Sequence, residues 1–230
     1  MTPRLRIRFA TALFVLVSTS GCLAPVNQQI EPAEKFVAPD IDFELIAADV
    51  DPPNIQWTDD VDFGKLREHY GRRKDFSSRC EYAPERNEAA EAVGAGNSDL
   101  ILELTDSLLA RCPVDPILHH WRSRALDQLG LPEDAETHRR WVQGLFDSIL
   151  STGDGKTTKT PFITISIYEE YQVLSFLGLT KKKQSLIDSP VALDMIVAER
   201  EDGSEVTVYF NPLLHFIRLY ESLDQMTPAP

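Results

Sequence analysis

The sequence predicts an α+β fold in which an N-terminal helical layer, built of tetratricopeptide-like helix pairs, packs on a small, mostly antiparallel sheet with two helices. Three observations carry that prediction. Phe63, Leu66 and Tyr70 recur at three- and four-residue spacing, which gathers them on one face of a helix. Gly96 and Gly130 lie 34 residues apart, as do Ile101 and Ala135, and that is the period of stacked tetratricopeptide helix pairs. After Pro161 the pattern changes to short β-branched and aromatic runs, PFITISI, KKKQSLI, VALDMIVAER and EVTVYF, whose side chains fit a pleated surface.

The chain opens with Arg4, Arg6 and Arg8, then an uncharged run over 9–17, then small residues up to Cys22. That run is too short to span a bilayer as a helix and has the layout of a secretory signal. Ser20, Gly21 and Cys22 resemble the end of a bacterial lipoprotein signal, although Thr19 stands where an aliphatic residue is usual. The resemblance implies a signal over 1–21, acylation of Cys22, and membrane attachment through the lipid. Leu23 is not aspartate, which by the same analogy directs the protein to the outer membrane, facing the periplasm. Loss of the three arginines moves the net charge from -13 to -16. A body that acidic is repelled by phosphate backbones, so no nucleic-acid partner is expected.

Residues 22–60 contain several prolines and many acids and no sustained helical period, the composition of a tether. Within it, the apolar IDFELI has the composition of a docking segment. Asp62 then caps a helix expected over 62–75, with Phe63, Leu66 and Tyr70 on one face. One helix pair is expected over 82–115 and a second over 116–149, with Pro113, Asp115 and Pro116 at the handover and Ala89, Ser123, Ala125 and Ala135 at the crossings. Two such pairs bury too little alone. The 62–75 helix is therefore expected to cover one end and the C-terminal segment the other. Export to an oxidising compartment allows Cys80 and Cys112 to pair, since both fall at one edge of the layer in this register, but leaves them free as an alternative.

A helix over 135–151 is expected to end at Gly153 in a left-handed conformation, with Asp154 and Gly155 turning the chain into a strand. Strand, helix, three strands and a closing helix follow over 152–224, ahead of a tail at 225–230. Gly178 ends the first of these helices, Asp202 and Gly203 form a hairpin turn, and Asn211 with Pro212 starts the last.

The stretch GDGKTT needs separate treatment, because Gly155, Lys156 and Thr157 match the end of a phosphate-binding loop. The first glycine of such a loop would fall at Leu150, and a helix precedes and a strand follows, the reverse of the required order. It reads as a junction, and no nucleotide is expected. Glu169 and Glu170 are adjacent and diverge by about 100° on a helix, so their simplest role is a negative first turn. His119 and His120 are likewise neighbours, and no metal-ligand spacing occurs, so no metal or other cofactor is expected. Lys181, Lys182 and Lys183 read as a solvated strand start that discourages edge pairing.

Taken together, SIxxxGDGK (Ser148, Ile149, Gly153 to Lys156), EEYxxL (Glu169, Glu170, Tyr171, Leu174), Asp194 and YFN (Tyr209, Phe210, Asn211) resemble the bacterial lipoproteins and secreted proteins of domain of unknown function 4919, over roughly 60–220. His138 falls where such proteins tend to carry a histidine. The resemblance supports the fold and location and brings no chemistry. The candidate binding or junction cluster is His138, Asp154, Lys156, Glu170, Tyr171, Asp194 and Asn211, with no catalytic residue assigned. A binding or scaffolding module with an envelope protein or peptide partner is expected. The alternative, an envelope hydrolase, requires His138, Asp154, Glu170, Asp194 and Asn211 to meet in one pocket.

Overall fold

The structure is a computed structural model that describes residues 44–47, 55–58, 60–187 and 191–226, with backbone alone at 224–226. The chain divides into the unit Met1–Val37 and the unit Ala38–Pro230. The predicted signal, Cys22, most of the tether and the end of the tail lie outside the described residues. Among the described residues, no helix is long and apolar enough to cross a membrane.

Helix α1 (Phe63–Gly71) starts where Asp62 Oδ1 accepts the Lys65 N–H at 3.1 Å. It ends short of the expected residue 75. The following backbone is taken by the tether instead: Ile46 N–H donates to Arg72 O at 3.0 Å and Lys74 N–H donates to Ile46 O at 3.2 Å, while Leu45 is buried beside them. A π-helical turn (Ser77–Glu81) leads to α2 (Glu85–Ala95), α3 (Ser98–Arg111), α4 (Pro116–Gln128) and α5 (Pro132–Leu150), each packed on the next. Gly96 and Gly130, 34 residues apart, both adopt positive φ (68° and 76°) just after α2 and α4, where other residues are strained. Ala89, Ser123, Ala125 and Ala135 are buried as expected of crossing positions, and Ile101, equivalent to Ala135, is buried too.

The second half contains β1 (Phe162–Ile163), α6 (Ile167–Phe176), β2 (Thr180–Ile187), β3 (Leu193–Glu199), β4 (Glu205–Asn211) and α7 (Leu213–Met226). The strand order is β1-β4-β3-β2, with β1 parallel to β4 and the other two pairs antiparallel. Ile196, Ala198, Val208 and Phe210 on one sheet face pack with Phe162 against Phe146 and Ile149 of α5 and Val173 and Leu174 of α6. A second core joins Leu66, Tyr70, Trp141, Leu145, Ile165 and Leu214 around a Cys80–Cys112 disulfide. The bridge ties the π turn to the end of α3, with Cα atoms 5.3 Å apart.

The junction differs from expectation in one respect. Gly153 does not adopt positive φ; Gly155 does, at 64°. The helix closes instead through Ser151, whose N–H donates to Asp147 O, and the left-handed residue comes later, where the chain doubles back. There the N–H groups of Asp154 and Gly155 both donate to Thr160 O (3.2 and 2.8 Å), and Gly155 O accepts from Tyr209 N–H of β4 at 2.8 Å. Gly153 is required for a different reason: a Cβ there would lie 2.6 Å from Thr160 O and still closer to Pro161 O.

Candidate functional site

The first turn of α6 places two carboxyl groups inside the protein. Ser166 Oγ caps the helix by accepting Glu169 N–H at 3.0 Å, which directs Glu169 back toward α1. There it meets Arg67 in a two-bond fork (Nε to Oε1 2.9 Å, Nη2 to Oε2 2.8 Å) and also accepts Ile165 N–H at 2.8 Å. Glu169 is saturated. Glu170, one position on and fully buried, diverges from Glu169 and faces the sheet.

Glu170 faces Asp194 of β3, itself buried. Neither oxygen of Glu170 has a conventional donor, and a second carboxylate can only accept, so the two are compatible only with a proton between them. Burial first, then the negative charge of Asp194, pushes Glu170 up to about 10. Asp194 is also raised, by burial, against the opposing effect of the Gln184 amide. Glu170 is thus the acid that carries the proton and Asp194 the acceptor. Toward solvent, Tyr171 Oη donates to Gln184 Oε1 at 2.6 Å, and Lys181 Nζ lies 4.2 Å from the centre of the Tyr171 ring. His215 of α7 lies within electrostatic reach of Asp194, and its buried Nδ1 has no hydrogen-bond partner.

This pair makes a pH prediction whose sign is fixed. Glu170 holds its proton well above the ordinary 4.5 when folded, so unfolding releases this proton at neutral pH and the stability that Glu170 contributes falls as pH rises from 4.5 toward 10. Glu170→Gln keeps the shape and can donate to Asp194 without ionising. The variant should melt higher than wild type at pH 8 and no higher at pH 4. Equal differences at both pH values would show that Glu170 is charged in the folded state.

The other expected residues lie elsewhere. His138 belongs to the helical layer, where α4 and α5 form a chain of hydrogen bonds. The Pro113 carbonyl can only accept, so His119 Nε2, 2.9 Å away, bears hydrogen. His119 Nδ1 then accepts from His138 Nδ1 at 2.8 Å, and His138 Nε2 accepts from Arg122 Nε at 3.1 Å. Both rings are complete only when neutral, and burial lowers each to about 3, with the Arg122 charge adding to the effect. Trp57 covers them, its ring centre 5.3 Å from His119 and 5.7 Å from His138, and its carbonyl accepts Trp141 Nε1 at 2.7 Å.

Asp154 and Lys156 sit at the exposed junction. Asp154 Oδ1 accepts Lys156 N–H at 3.0 Å and Thr160 Oγ1 at 2.5 Å, while the Lys156 ammonium projects into solvent, 4.0 Å from Asp154. Asn211 starts α7, accepting Leu213 N–H at 3.2 Å. The proposed cluster is therefore not one site. Glu170, Tyr171 and Asp194 come together; His138, the junction pair and Asn211 each serve a separate place.

A family profile described as domain of unknown function (DUF4919) matches residues 69–215. The chain belongs to this family. The DUF4919 match takes in the disulfide, the histidine chain, the junction and the carboxyl pair, whereas Arg67 and Trp57 precede it. No curated protein and no solved structure matches the chain.

Sequence reasoning passed over Arg122, Trp57, Gln184, His215 and Arg67, and weighed His119 only against His120, not against His138. The histidines carried a usable signal: His119, Ser123 and Leu126 share one helical face, as do His138, Trp141 and Leu145, and all six are buried. The partners of Arg67 and the nearness of His215 to Asp194 are set by tertiary packing and left no local mark.

Proposed function

We propose that this DUF4919 protein is a lipid-anchored protein of the bacterial envelope, held by an acylated Cys22 at the outer membrane, whose body binds a protein or peptide. What carries the reading is the separation of the polar groups. His138 is enclosed in the helical layer, Asp154 lies at an exposed turn, Asn211 caps a helix, and Glu170 with Asp194 is closed off from solvent. Such an arrangement serves architecture, and the helix pairs α2–α3 and α4–α5, read as a short tetratricopeptide-like array, offer surface for a partner. The anchor rests on the order of arginines, apolar run and small residues before Cys22. Cys22→Ser should move the protein from the salt-washed membrane fraction to the soluble one. A mutant that stays with the membrane would place the anchor elsewhere.

A second reading, a hydrolase, is favoured by one observation, the proton-sharing Glu170 and Asp194, since paired carboxyls can act as acid and base. Hydrolysis of an envelope polymer by the wild type that disappears in Asp194→Asn, with folding intact, would replace the binding reading with this one.

A further inference from the structure

β2 is the edge of the sheet. It pairs with β3 on one side, and among the described residues no strand or helix pairs its other side, so a row of backbone N–H and C=O groups faces outward along an exposed strand. Such an edge is a template for an added strand. Its side chains are arranged unequally along its length. Lys181, Lys182 and Lys183 occupy the first half, in a chain with 36 acids against 23 bases. Lys182 reaches Glu199 at 2.8 Å and Lys181 rests on the Tyr171 ring, while Lys183 has no carboxylate within ion-pair distance among the described residues. The second half ends in Leu186, 59% exposed, and the half-buried Ile187.

We propose that the outer edge of β2 is the docking site of an extended, acidic segment of a partner protein, added to the sheet as a further strand. The inference rests on the binding reading above and names its surface. Main-chain bonds to β2 hold the segment, acidic side chains near its one end meet the lysines, and an apolar residue at the other covers Leu186. The register shift between Lys181 and Lys183 twists the start of the edge, and the three positive charges deter strands lacking negative charge. The edge is thereby selective.

The test uses the full-length protein in detergent and a fluorescent peptide as long as β2, alternating glutamate with valine; a lysine and valine peptide is the control. The acidic peptide should bind, weaken as salt rises, and protect the outward amides of β2 from hydrogen exchange. Lys182→Glu with Lys183→Glu should weaken it by at least about tenfold while leaving the melting temperature close to wild type, as exposed charges do. Equal binding of the basic peptide, protection elsewhere than β2, or β2 amides protected without peptide in a self-associated protein would each overturn the proposal. A native partner recovered by cross-linking at the membrane that binds the double variant undiminished would sink the β2 site and leave the binding reading standing. Hydrolytic activity lost in Asp194→Asn would sink that reading by itself.

Discussion

Arg67→Ala should lower folding stability by about 3–5 kcal/mol, because it leaves the buried Glu169 carboxylate without its partner. Arg67 and Glu169 are 4% and 3% exposed, so water cannot substitute. The guanidinium does more than pair: Nη1 donates to Ser148 Oγ at 3.2 Å and Nη2 to Ile163 O at 3.1 Å. One side chain of α1 therefore holds α5, β1 and α6 at a single point. Denaturant midpoints check the expectation, with exposed Arg139→Ala as a comparison expected to change stability by about 0–1 kcal/mol. Replacing both charges, Arg67→Met with Glu169→Leu, should recover much of the loss, since a buried pair repays little beyond its own desolvation. A cost for Arg67→Ala no greater than for Arg139→Ala would mean that α1 is held to the sheet by apolar packing alone.

Gly153→Val should cost about 2–4 kcal/mol, at the upper end of ordinary point changes. The added Cβ would press on the backbone oxygens of Thr160 and Pro161, which cannot swing aside as a side chain would. Those atoms also accept or position the bonds that close the junction, so moving them loosens Gly155 and its bond to Tyr209. Lys156→Ala at the same turn should stay within about 0.5 kcal/mol of wild type. Thermal melts of wild type and both variants, with and without ATP and magnesium, separate the junction from a phosphate loop: a nucleotide-dependent rise in melting temperature that Lys156→Ala removes would reverse the assignment.

Local patterns made much of the fold legible. The 34-residue spacing of two glycines, the caps Asp62 and Asn211, and the change of period after Pro161 each record a backbone requirement met by nearby residues. The order of the sheet was not legible, because β1 finds β4 across nearly the whole second half of the domain and two residues of strand leave little signal. Gly153 differs from expectation: its φ is not positive, and what singles it out is the close approach of Thr160 and Pro161. Glycine is compatible with both a left-handed turn and a close backbone approach, and the second depends on Thr160 returning past it. The candidate site was legible only in pieces. Glu170 and Asp194 were picked from motifs, but a helix residue and a strand residue reveal their proximity only once α6 lies on the sheet, and the burial that joins them also keeps Glu170 protonated.

The position of β4 in the sheet has a consequence for the order of assembly. It is the last strand among the described residues, yet it lies between β3 and β1 and also supplies the Tyr209 N–H that fixes the junction. The helical layer pairs neighbours in sequence but completes its core with Ile165 and Leu214, and the sheet cannot be completed before residue 211 is available. Until then β1 has no neighbour and the apolar faces of α5 and α6 have only part of their cover. The arrival of β4 therefore completes the sheet, the junction and the core that α5 and α6 share with the sheet.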